Sequence, residues 1–400
     1  MAEAPQVYFN PWDPEFRANP YPHYAALYNG PPSKLTFGPT TIALVARYAD
    51  VTDVLRDHEH FSSVGPPPPP TAYQGRFAGA SNMLGSDPPR HSRLRRLVSR
   101  DFTPRRIREL EPHIRQIASD LLDQVEAKGE FDLMADFANV LPVKVIAHML
   151  GVPPELNATF KNWSDTLIDS GNNVPGQPPR PQVIAAVDAI GDYFSTEIEQ
   201  RRKNPGADLV SALVAAHDEG EVLSSADLLS FVTLLLVAGN ETTTNLIGNG
   251  MLALGRNPEQ FEMLRRTPEL LPRAIEEMLR YDGPVQATAR FPKAAVEIGG
   301  TTIPAGAIAL VMIAGANRDP AQFKDPGIFD IARDPNEHVA FGEGIHFCIG
   351  APLARMEAAV AFEAMLARFP RLNLKDQGMK PNYKGSFILR GIESLPMAIN

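Results

Sequence analysis

One cysteine, Cys348, stands in 400 residues, and a lone thiol excludes an internal disulfide framework and fits a reducing compartment. The opening MAEAPQVYFNPWDPEF has neither a basic segment nor an apolar one of the kind that leads a chain to secretion, so the expectation is a cytoplasmic protein. Long apolar runs are missing as well. The strongest, Leu228 to Val237, is broken by Thr233 and falls well short of the roughly 18 residues that a membrane span needs, which predicts a buried helix and no membrane anchor. Nor is there a basic excess: a net charge of -9 argues against general nucleic-acid binding, which requires cations to neutralise phosphates. Gly/Ser linkers and charge blocks that would divide the chain are absent, so a single domain over 1–400 is expected.

What is present describes a large core: 44% of the residues are hydrophobic and 21% charged. Helical patterns dominate. In TPRRIRELEPHIRQIASDLLDQVEA, Ile107, Leu110, Ile114, Ile117, Leu121 and Val125 fall at spacings of three and four, one apolar stripe on a charged helix. Val183 to Arg202 reads the same way. SSADLLSFVTLLLVAGNETTTNLIGNGMLALG is apolar on nearly every face and opens with Ser224 and Asp227 spaced as a capping box, which predicts a central helix of about 45 Å. Strand signals are short: TIALVAR near the start, AAVEIGGTTIPAGAIALVMIA with GG and PAG as turns, and a weaker pair near the C-terminus. The fold class is therefore mainly α with a small β portion. Residues 63–87, with five consecutive prolines, and 170–182 read as long loops of the kind that serve as lids.

Arginine is concentrated between Arg90 and Arg108, where Arg93, Arg95, Arg96, Arg100, Arg105 and Arg106 also stand, with Asp101 the only acid. The bland reading is a solvated face; the sharper one is a site for an acidic partner or an anionic cofactor. Cys348 precedes IGAPLARMEAAVAFEAMLARF, a helical pattern with Pro352 near its first turn, so the thiol lies at a helix N-terminus, where free N–H groups and the helix dipole favour thiolate. Gly342 and Gly344 allow tight turning and close approach to a flat partner. A dinucleotide loop fails on spacing, because Phe347 stands where the third glycine belongs.

The run AFGEGIHFCIG places Phe341, Gly342, Gly344, His346, Cys348 and Gly350 in the spacing F-G-x-G-x-H-x-C-x-G, which resembles the haem-ligand signature of the cytochromes P-450. Further motifs extend the resemblance over most of the chain. EEMLR supplies Glu277 and Arg280 in the family's E-x-x-R pattern, and FDIAR supplies Arg333, which in relatives completes a buried Glu-Arg-Arg network with a structural role. AGNETTT fits A-G-x-[DE]-T through Ala238, Gly239, Glu241 and Thr242. An acid and a hydroxyl within a buried apolar helix are costly unless used; the bland alternative is Thr242 bonded to its own helix carbonyl and Glu241 paired with a distant base. Relatives use this pair to deliver protons, with a local break in the helix. The H-x-x-x-R motif appears as His91 and Arg95, and Arg290 and His346 match the remaining partners of the haem propionates.

The resemblance implies a single-domain cytochrome P-450 fold with a long helix over haem b, iron held by the Cys348 thiolate, and a monooxygenase that uses O2. Phe341, Gly342 and Gly344 would contact the cofactor, and the small Ala238 and Gly239 would leave room above it. Electrons are expected from a soluble ferredoxin and its NAD(P)H reductase, since no flavin or iron–sulfur segment follows the haem region; Arg96 and Arg106 are candidates for docking that partner. Helical spacing sets Leu234, Val237 and Ala238 on the face carrying Glu241, and position in relatives adds Val285, Gln286, Ala287, Ile388 and Leu389 to the substrate pocket. The mostly aliphatic lining implies a hydrophobic substrate: a terpenoid, steroid, fatty acid or polyketide. Weighed against this are a peroxide-driven haem peroxygenase, a non-enzymatic haem-thiolate gas sensor or carrier, and a structural helical protein with an inert cysteine.

Overall fold

Ser224 begins the helix that organises the rest. Its hydroxyl accepts from the Asp227 amide at 3.1 Å while the Asp227 carboxylate accepts from the Ser224 amide at 3.0 Å, the reciprocal cap that the sequence predicts. From there Ser225–Arg256 runs 32 residues, about 48 Å at 1.5 Å each. In this computed structural model all residues are described except 1–7, 38–39, 68–76, 78–79, 81, 100, 127, 171–178, 219–223, 385–386 and 400. Much of both expected lid segments therefore lies outside the described residues.

Nearly every face of the central helix is covered, which is why its sequence lacks a polar stripe. Helices Leu141–Met149, Asn157–Ser170, Leu271–Asp282 and Ala351–Arg368 pack on it, and the last of these also packs on Pro104–Glu126. Their apolar faces merge into one large core, in which Ile114, Leu121, Phe231, Leu246, Met278 and Phe362 are all buried.

Beside this helical body lies a five-stranded sheet in the spatial order Ser33–Phe37, Thr40–Val45, Ile308–Val311, Thr288–Pro292, Phe61–Ser62. Thr40–Val45 pairs parallel with Ile308–Val311, and the other pairs are antiparallel. Alternation decides which core each side chain joins. Ala43, Val45, Ala309 and Val311 enter one small cluster with Val51 and Val339, whereas Leu44, Leu310 and Met312 face the other way onto Phe16 and Tyr24. The sheet thus seats the N-terminal segment on one face and the loop leading to Cys348 on the other. The GG turn joins Val296–Ile298 to Thr301–Ile303, with both glycines at positive φ. The expected C-terminal pair forms from Leu372–Leu374 and Pro396–Ile399, with Glu130–Asp132 as a third strand that the sequence did not announce.

Candidate active site

Cys348 lies two residues before Gly350, the N-cap of helix Ala351–Arg368. Gly342 and Gly344 adopt φ of 72° and 67°, which other residues rarely take. At Gly344 a side chain would meet the Leu55 carbonyl at 2.7 Å, so this glycine lets the loop press against the end of helix Tyr48–Arg56. The Cys348 amide donates to the Phe341 carbonyl at 2.9 Å, closing the loop. The sulfur is accessible, yet sits deep enough that burial pushes the thiol pKa up. N–H groups of Gly350 and Ala351, with Arg95 and Arg355 nearby, pull it down without prevailing. The helix terminus therefore favours thiolate only in part, and a bound cation would complete the deprotonation.

Four basic groups surround the same loop. The His91 and His346 rings lie 4.1 Å apart, and both nitrogens of the buried His91 lack a partner. Burial lowers the pKa of His91 and drives that of His346 down to about 3; the positive charges of Arg95 and Arg290 oppose protonation of both rings, and His91 opposes that of His346. His346 Nε2 meets the Ser63 hydroxyl at 3.0 Å. Arg290 is buried and bonds the Ala289 carbonyl at 2.9 Å, with no carboxylate in contact among the described residues. Arg95 is half-buried nearby. Unmet donors of this kind are costly unless an anion joins them. The two propionates of a haem are such anions, and a single accessible sulfur beside them is such a ligand, so the residues present fit the group that the sequence implies.

Behind the loop the structure brings Glu277, Arg280 and Arg333 together. Arg280 binds the carboxylate in bidentate fashion at 2.7 and 2.8 Å, Arg333 Nε lies 3.2 Å from both oxygens, and Asn336 and the Asp330 amide add bonds. Arg280 also donates to the carbonyls of Asn317, Pro326 and Ile328, which anchors the long irregular segment before Cys348 to helix Leu271–Asp282.

On the central helix, backbone geometry stays helical through Ala238–Thr242, so the break expected there is not seen. Thr242 donates to the Ala238 carbonyl at 2.8 Å, and Glu241 pairs with Lys384 at 2.6 Å. Leu234, Val237, Ala238 and Thr242 form the accessible stripe of an otherwise buried helix, whereas Glu241 turns aside to Lys384. Gly239 faces Ile146, where a side chain would approach to 3.3 Å; its smallness serves a helix crossing. Leu389 bridges Val285, and both are half-buried, with Ile388 exposed beside them. Gln286 and Ala287 lie in the protein interior: the Gln286 amide bonds Gly283 and Tyr24, and Ala287 packs with Phe16 and Leu44. A cavity of about 720 Å³ lined by His113, Lys144 and His148 contains none of the expected site residues.

Two groups escaped the sequence reading. Glu276 binds Arg355 at 2.6 Å and His338 at 3.0 Å, and Arg355 stacks 4.5 Å from the Phe341 ring, a brace across the cysteine loop. Arg355 in the run following Cys348 was its only signal. Lys384, 143 positions from Glu241, had none.

A family model described as Cytochrome P450 matches residues 18–395. The chain is 44% identical over 389 residues to the cytochrome P450 monooxygenase PikC of Streptomyces venezuelae, covering 96% of this chain and 92% of that protein. It is 40% identical over 397 residues to the vitamin D(3) 25-hydroxylase of Pseudonocardia autotrophica, covering 96% and 94%. Among solved structures, a myxobacterial cytochrome P450, CYP267B1, in complex with myristic acid superposes with a TM-score of 0.89 at 36% identity, over 97% of this chain and 98% of that one.

Proposed function

This chain belongs to the cytochrome P450 family and is a haem-dependent monooxygenase, and from that premise we propose that it inserts one oxygen atom from O2 into a hydrophobic small molecule, drawing electrons from a separate ferredoxin and its NAD(P)H reductase. The observation that carries the site assignment is the buried His91, with neither nitrogen bonded, its ring 4.1 Å from that of His346 and grouped with Arg290 beside the only cysteine. When bound, the haem would supply oxygen activation, and thiolate ligation would favour O–O cleavage.

Each residue then has a task. Cys348 would hold the iron, its sulfur receiving N–H bonds from Gly350 and Ala351. His91, Arg95, Arg290 and His346 would receive the propionates, while Phe341, Gly342 and Gly344 shape the loop that carries Cys348. Glu277, Arg280 and Arg333 fix that loop. Glu241 and Thr242 would pass protons toward the reacting side. The stripe Leu234, Val237, Ala238, with Val285, Ile388 and Leu389, excludes water and packs the substrate; Gln286 and Ala287 support that wall from behind.

Arg93, Arg96 and Arg108 are exposed and make no ion pair among the described residues, whereas Arg105 and Arg106 share Glu109 at 3.1 and 3.2 Å. That uncompensated charge suits an acidic ferredoxin. No helix among the described residues is long and apolar enough to cross a membrane, and a cytoplasmic location completes this reading.

Titrating the haem-loaded protein with terpenoids, steroids, fatty acids and macrolides while following the Soret band tests the proposal. At least one class is expected to shift the band and to yield, with a surrogate ferredoxin system and NAD(P)H, a product one oxygen heavier. Turnover with hydrogen peroxide alone, and none with NAD(P)H, would overturn it.

A further inference from the structure

The carboxylate of Glu241 is held by a residue that no motif of the central helix contains. Lys384 Nζ donates to Glu241 Oε1 at 2.6 Å; the acid side chain is 3% exposed and the lysine 27%. A charge so buried is costly without a partner, and the cation offsets that cost.

Lys384 is delivered to this place by a C-terminal hairpin. Its amide bonds the Gly391 carbonyl at 2.9 Å, and Tyr383 bridges Ile392. The hairpin is pinned from both sides. Asn249 of the central helix donates to the carbonyls of Arg390 and Asp282 at 3.0 Å, and Arg390 binds Asp282 at 2.7 Å with its guanidinium 3.6 Å from the Tyr383 ring. Gly391 lies so close to Asn245, one turn beyond Glu241, that any side chain there would collide with the amide. Both polar atoms of Asn245 are buried without partners. Glu241 thus has one cation fixed on its outer side, one unbonded amide a turn along, and the Thr242 hydroxyl next in sequence. The same hairpin presents Ile388 and Leu389 toward the Val285 wall.

We propose that Lys384 is a positioning residue of the proton relay, holding the Glu241 carboxylate in a fixed direction from the hairpin that also presents Ile388 and Leu389. The inference rests on the relay role given above to Glu241 and Thr242. It needs the positive charge of Lys384, not its proton.

Its test uses haem-loaded protein with a plant-type ferredoxin and NADPH reductase in excess, measuring NADPH oxidation in H2O and D2O together with the fraction of electrons recovered as peroxide. Lys384→Met is expected to slow oxidation about tenfold or more and to enlarge the solvent isotope effect, within the range that a positioned acid contributes. Lys384→Arg, which keeps the charge, is expected to restore both to about twofold of wild type. Glu241→Gln should be at least as impaired, and the Glu241→Gln, Lys384→Met double variant no worse. Acetylation of Lys384 followed by mass spectrometry gives a reading independent of turnover: slow in wild type, about fivefold faster or more in Glu241→Gln if the pair exists in solution. A Glu241→Gln protein with wild-type behaviour would remove the relay reading itself. An impaired Glu241→Gln beside an unimpaired Lys384→Met, or equal failure of the Arg and Met variants, would overturn the role of Lys384 alone, as would equal acetylation rates.

Discussion

Glu277 carries its charge wholly inside the protein, where Arg280, Arg333, Asn336 and the Asp330 amide converge on two oxygens. Removing one member leaves its partners' charge buried and unmet. Glu277→Ala is therefore expected to cost about 3–5 kcal/mol in urea unfolding of the haem-loaded protein, against about 1 kcal/mol for an exposed pair such as Arg105 with Glu109. Glu276 offers a pH test. Burial pushes its carboxyl upward, but the bonds from Arg355 and His338 outweigh that and hold it at about 2, below the ordinary 4.5. A carboxyl depressed in the folded state contributes stability above its unfolded pKa and loses it as pH falls through the folded one. Arg355→Met is expected to melt well below wild type near pH 6, with the gap closing as pH falls from about 4.5 toward 2. A gap independent of pH would show that Arg355 acts through packing on Phe341 alone.

Elements differed in how much of them the sequence disclosed. The central helix was legible because Ser224 and Asp227 cap it and because its apolar residues cover every face; the cysteine loop was legible through the spacing of Phe341, Gly342, Gly344, His346 and Cys348. Local rules suffice for both. The hairpin around Lys384 was not legible, since its partners are Glu241, Val285 and Asp282, far away in the chain, and its pairing consists of isolated bridges without alternation. Gln286 and Ala287 show the same limit: sequence put them near the pocket, but contacts with Tyr24 and Phe16 from the N-terminal segment decide where they face. The hairpin's seat can be probed at Gly391. Gly391→Ala would drive a methyl group into Asn245, and is expected to cost about 1–3 kcal/mol in unfolding while making Lys384 more reactive toward acetylation. An unchanged melting curve and unchanged labelling would mean that the hairpin rests on the helix more loosely than the structure shows.

At the scale of the molecule, a protein of net charge -9 gathers exposed arginines, without ion pairs among the described residues, on the segment next to the cysteine loop. Because Glu109 already meets Arg106, Arg96→Glu is expected to slow reduction by an acidic ferredoxin more than Arg106→Glu, with the difference fading at high ionic strength; stopped-flow reduction in low and high salt reads this directly. The sheet, the helical body and the buried Glu277 network together fix one loop, and everything assigned to this protein depends on the sulfur at its end. The measurement closest to that claim is the carbon monoxide spectrum of the reduced, haem-loaded protein. The expected result is the red-shifted Soret band of thiolate-ligated haem in wild type and its loss in Cys348→Ala. An unshifted band in wild type, or a shifted band that survives the substitution, would contradict ligation by Cys348.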